Sequence, residues 1–76
     1  MKKAAVLVAS GFEEAEALII VDVIRRADIP CDLIGLEEQV VEGAHGIIIQ
    51  CDAVLSHDFV NYEMVILPGG YEGVEH

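Results

Sequence analysis

The sequence predicts an α/β fold with a mostly parallel sheet, and three observations carry that prediction. Ala4 to Ala9 is an unbroken apolar run without alternation, the pattern of a strand covered on both faces. Glu13 to about Ala27 is acidic at its start and ends in Arg25-Arg26, the charge order that suits a helix macrodipole. Cys31 to Gly35 and Met64 to Leu67 are further strand-like runs, the last with a buried parallel-strand pattern.

Each element has its own reasons. Ser10-Gly11 breaks the first strand, and Ser10 is placed to cap the helix whose first turn carries Glu13, Glu14 and Glu16. The β-branched residues between Ile19 and Ile24 weaken helix propensity, but length and charge order favour helix. One apolar set, Ile20, Val23, Ile24 and Ala27, follows helical spacing, and a second, Ala15, Leu18, Ile19 and Val23, lies beside it. A helix apolar over so much of its circumference is expected to be covered twice, by the sheet and by a partner subunit or another layer. Asp28-Ile29-Pro30 ends it, because the residue before proline avoids helical geometry. Strand, helix, strand implies parallel pairing through a right-handed crossover.

Glu38 to Glu42 and Ile47 to Cys51 flank Gly43-Ala44-His45-Gly46, the composition of a hairpin. Ser56 to Tyr62 is polar and loop-like. A doubly wound sheet needs helices on both faces, and one helix is available. The domain is therefore expected to be unfinished at His76, with residues 1–76 its N-terminal part.

Composition narrows the function. The chain has 76 residues, enough for one domain at most, and 54% are hydrophobic, which suits a piece of a larger core. The net charge of −10 argues against nucleic acid and anionic membranes, since no basic stripe could neutralise phosphates. Cys31 and Cys51 match neither a zinc site nor a redox CxxC, and read as reduced thiols. The apolar run after Lys2-Lys3 is too short for a signal peptide, and no run approaches a membrane span, so a cytoplasmic protein is expected.

Two stretches carry chemistry. Parallel strands bring their carboxyl ends to one edge, where ligands of open α/β folds bind. Ser10-Gly11-Phe12-Glu13-Glu14-Ala15-Glu16 leaves the first strand on that edge, and Pro68-Gly69-Gly70 leaves the last. If the two strands are neighbours, the loops meet. Glycine N–H groups there could hold an oxyanion, or the Pro-Gly-Gly could be a tight turn. Glu16 could be a general acid or base, or could only compensate the helix dipole. His45 reads as an exposed turn histidine and His57 as surface. No metal site with three ligands is visible.

Strand-GFEEAE-helix, then VDVIRRADIP, then Ala44-His45-Gly46 followed by IIIQCDA, then ILPGG, resembles the ThiJ/PfpI (DJ-one) superfamily along essentially the whole chain. The resemblance implies a flavodoxin-like three-layer sandwich, usually a homodimer. It implies a cofactor-free centre with a cysteine on a strand-to-helix elbow, beyond residue 76, so that neither Cys51 nor His76 is catalytic. The family glutamate that points at the sulfur falls on Glu16, and a buried, protonated carboxyl there could donate to a thiolate. The family glycine pair falls on Gly69 and Gly70, with the Gly70 N–H as oxyanion donor. His45 falls where relatives place Arg or His near the partner subunit's site. Members act on methylglyoxal and related carbonyls as glyoxalases or deglycases, and others are described as proteases, chaperones or oxidative-stress sensors; some carry an old label of thiazole monophosphate biosynthesis. The implied partners are a small carbonyl substrate, a complementing C-terminal segment or chain, and a second copy. Three other readings stand beside this one: a redox-sensing or chaperone-like stress protein of the same fold without turnover; a class I glutamine amidotransferase, which also uses a PGG loop before a cysteine elbow but which the GFEEAE helix start opposes; and a phosphate or nucleotide binder, which three carboxylates in GFEEAE oppose.

Overall fold

The structure, a computed structural model, describes residues 3–55 and 62–69. Strand β1 spans Ala4–Val8, helix α1 Glu14–Arg26 and strand β2 Cys31–Gly35. They are followed by β3 (Val40–Glu42), β4 (Ile48–Gln50), β5 (Ala53–Val54) and β6 (Met64–Ile66). The main sheet has the order β5-β2-β1-β6 with every pair parallel, and β3-β4 forms a separate antiparallel ribbon.

Strand β1 is central and all five of its residues are buried, as its unbroken apolar run requires. Val6 and Val8 pack with Phe12, Ala17, Val21 and Leu33 on the face covered by α1. Ala5 and Leu7 pack with Ile34 on the other face. Successive side chains of a strand point to opposite sides, so one five-residue segment feeds both clusters. Phe12 is fully buried beneath the helix, and truncating a phenylalanine in such a place costs about 3–5 kcal/mol.

Helix α1 starts differently from the expectation. Its N-cap is Glu13, which makes no side-chain capping bond, and Ser10 lies in an exposed turn before it. Its buried face is Glu14, Ala17 and Val21, with Ile20 and Ile24 half-buried beside them. The sequence placed Ile20 and Ile24 correctly and missed Ala17 and Val21. The second apolar set is exposed: Leu18, Ile19 and Val23 are 40%, 60% and 57% accessible.

The helix ends in a Schellman motif. The Asp28 N–H donates to the Arg25 carbonyl at 3.0 Å and the Ile29 N–H to the Ile24 carbonyl at 3.3 Å. Asp28 takes the left-handed position, φ 62°, usually filled by glycine. Arg25 then reaches back to donate twice to the Cys31 carbonyl, at 3.0 and 2.8 Å, and once to Asp52 at 2.8 Å.

Strand β5 has no counterpart in the sequence reading. It pairs with the end of β2, Ile34 opposite Ala53 and Gly35 opposite Val54. The Asp52 carboxylate just before it accepts the Leu33 N–H at 2.7 Å, extending the ladder by a side chain. Strand β6 pairs with β1 as expected, Ala4 opposite Met64 and Val6 opposite Ile66. It is not buried as expected, however: Met64 and Val65 are 51% and 45% accessible, and Leu67 just after it 65%. It is the edge strand of the described sheet, and only Ile66, half-buried, packs against the core on the face of α1. Tyr62, just before β6, donates its hydroxyl to Asp32 at 2.5 Å. Burial, followed by that carboxylate, pushes the phenol up to about 12.

Candidate functional site

The sheet order makes β1 and β6 neighbours, and the loops leaving their carboxyl ends meet. The Glu13 N–H donates to the Gly69 carbonyl at 3.2 Å. The Gly69 N–H donates to Glu16 Oε1 at 2.6 Å. Glu16 is exposed at the first turn of α1, so the buried setting expected for this carboxyl is not met among the described residues. Gly70, His57 and His76 lie outside them.

A second carboxylate is buried close by. Glu14, 3% accessible, turns beneath the β3-β4 ribbon. Its Oε2 accepts the His45 N–H at 2.6 Å and the Ile47 N–H at 3.3 Å, and its Oε1 lies 2.9 Å from His45 Nδ1. Burial alone would raise the Glu14 carboxyl. The His45 ring, the backbone N–H of Glu14 itself and those of His45 and Ile47 outweigh it and hold the pKa at about 2. In return the Glu14 carboxylate, by hydrogen bond and then by charge, raises His45 above its ordinary value. The His45 ring itself is largely exposed.

The backbone makes room for this. A Cβ on Gly43 would lie 2.3–2.5 Å from the Glu14 side chain, so only glycine lets the carboxylate pass. Gly46 closes the hairpin loop at φ 80°, a left-handed position that suits glycine. Two backbone bonds fasten the same loops together: Gly11 N–H to the Glu42 carbonyl at 3.0 Å and Ala44 N–H to the Phe12 carbonyl at 2.8 Å. The start of α1 is thus clamped between the ribbon and the loop after β6.

Glu13, Glu14 and His45 each offer one ligand atom, all within 4.8 Å of one another, a grouping that the sequence reading did not see. Both Glu14 oxygens already accept hydrogen bonds, and a cation would have to displace His45 from Oε1. The geometry is that of an ion pair. Cys31 and Cys51 are both unpaired and buried. Burial raises both thiols, which keeps them protonated and unreactive. A groove of about 320 Å³ beside β3, lined by Ser10, Glu37, Glu38 and Glu42 among others, includes neither Glu16 nor Gly69. No helix among the described residues is long and apolar enough to cross a membrane.

A parallel sheet thus holds a glutamate-bearing helix start against a Pro-Gly loop at its carboxyl edge, the edge where open α/β folds bind ligands. The DJ-1/PfpI family profile matches residues 2–76, and the chain belongs to that family. It is 39% identical over 77 residues to Protein DJ-1 homolog B of Arabidopsis thaliana, covering 97% of this chain and 17% of that protein. It is 38% identical over 78 residues to the Parkinson disease protein 7 homolog of Danio rerio, covering 99% of this chain and 41% of that protein. Among solved structures, a cysteine-to-alanine mutant of a DJ-1 superfamily protein from Salmonella typhimurium superposes with a TM-score of 0.85 at 42% identity, covering 92% of this chain and 39% of that one. The chain therefore spans well under half the length of these relatives.

Proposed function

We propose that these residues are the N-terminal part of a DJ-1/PfpI domain that acts as a cofactor-free, cysteine-dependent enzyme on small reactive carbonyls, in the manner of a glyoxalase or deglycase. The observation that carries this reading is the bond from the Gly69 N–H to Glu16 Oε1, which sets a carboxylate and a glycine loop together at the carboxyl edge of the sheet. Glu16 moves a proton during carbonyl addition and rearrangement. The Gly70 N–H holds the developing oxyanion, while Gly69, whose own N–H is taken by Glu16, shapes the loop. The attacking thiolate comes from outside these 76 residues, in a complementing segment or chain. The buried, raised thiols of Cys31 and Cys51 support that assignment.

In this reading the domain is a cytoplasmic homodimer. The exposed apolar face of Leu18, Ile19 and Val23 supports the pairing of two copies. The exposed His45 contributes to the partner's site. The test is lactate formation from methylglyoxal by the protein that carries this chain, with a chelator present. Sustained turnover supports the enzyme. Absence of turnover, with the fold intact, would leave a sensor or chaperone of the same family.

A further inference from the structure

Glu14 is the buried carboxylate among the described residues, and the proposed chemistry does not use it. It lies two residues from Glu16, and successive helical positions differ by about 100°, so the two carboxylates leave the helix start in nearly opposite directions. One meets the ribbon and the other meets Gly69. Glu13, between the ribbon contacts and the helix, donates its N–H to the Gly69 carbonyl, so the two contacts share one short segment of backbone. The helix has no side-chain cap at Glu13 to fix that segment. Glu14 supplies the missing constraint. Its carboxylate takes two N–H groups from the hairpin loop and pairs with the His45 ring, in a space that exists because residue 43 has no Cβ.

We propose that Glu14 is a positioning residue: by locking the β3-β4 loop to the first turn of α1 through His45 and Ile47, it sets the register at which Glu16 meets the Gly69 N–H. This rests on the reading of Glu16 and Gly69 as the reacting pair, although the positioning itself can be observed without turnover. A misplacement of about 1 Å in such a pair can cost about 100-fold in rate, so an anchor two residues away has leverage on the chemistry.

The experiment follows the Gly69 amide by ¹H–¹⁵N correlation spectroscopy in the protein that carries this chain, for wild type, Glu16→Gln, Glu14→Gln and Glu14→Asp. Glu14→Asp keeps a negative charge at the helix start but is one methylene too short to reach the hairpin amides. An amide bonded to a carboxylate resonates downfield, and Glu16→Gln sets the size of the shift when that acceptor is neutralised. The proposal expects both Glu14 variants to move the Gly69 resonance upfield by at least half as much, with the remaining spectrum dispersed. In the lactate assay they would lower kcat about 10-fold while leaving KM within about twofold, since the substrate contacts remain. If Glu14→Gln does not fold, Glu14→Asp decides the matter. An unmoved Gly69 amide in folded Glu14 variants would overturn the proposal. A moved amide in a protein without turnover would uphold the positioning and count against the enzyme.

Discussion

Glu14 and His45, 31 residues apart in sequence, meet twice: the His45 N–H donates to Glu14 Oε2 at 2.6 Å, and the ring Nδ1 lies 2.9 Å from Oε1. This pair joins the first turn of α1 to the ribbon and has a definite pH signature. The Glu14 carboxyl is lowered from 4.5 to about 2, so its contribution to stability is present above 4.5 and lost as pH falls toward 2. His45 is raised above 6.5, so its contribution is present below 6.5 and lost as pH rises through its folded value. The pair contributes most between about 4.5 and 6.5. Denaturant midpoints measured across pH for wild type and His45→Ala would show the difference shrinking above that window. A difference that did not depend on pH would contradict the pairing.

Asp28 occupies the left-handed C′ position of the Schellman motif at φ 62°. The conformation is unfavourable for residues with a Cβ, and an acid near a helix C-terminus opposes the macrodipole. Glycine at this position costs more entropy in the unfolded chain, which offsets part of the gain. Asp28→Gly is expected to stabilise the protein by about 0.5–1 kcal/mol. Chemical denaturation checks this, and a loss of stability would show that the Asp28 side chain has an anchoring role.

Cys31 and Cys51 are 3% and 2% accessible, with both thiols raised by burial. Neither is expected to react with iodoacetamide in the native protein at neutral pH, and both should label fully in denaturant. Rapid native labelling of either, located by peptide mass, would contradict the reading that the reactive sulfur lies elsewhere.

Much of this architecture is legible in the sequence, for physical reasons that can be named. The unbroken run Ala4 to Ala9 suited a strand covered on both faces, and Ala4–Val8 is one. Parallel pairing of its strand with that of Met64 to Ile66 brings the GFEEAE and PGG loops together. The hairpin followed from two glycines between apolar runs. Glu14 could not be recognised in the same way. In sequence it is one of three acids in a first turn, and its partners approach from a loop 31 residues away. Its signal was indirect: Gly43, a glycine whose missing Cβ the carboxylate needs. Strand β5 is two residues long, too short to leave a period, and its pairing is completed by the Asp52 side chain. The buried face at Ala17 and Val21 was hidden because α1 is apolar on several sides at once.

In the proposed reaction Glu16, held at the Gly69 N–H, carries the proton in carbonyl turnover. The most direct measurement is kcat for lactate formation from methylglyoxal by wild type, Glu16→Asp and Glu16→Gln, with circular dichroism recorded on the same samples. A positioned proton-transfer group is worth about 10²–10⁴-fold. Glu16→Gln is expected to lose at least about 100-fold in kcat, and Glu16→Asp to retain part of the activity. Equal rates for wild type and a folded Glu16→Gln would contradict this role.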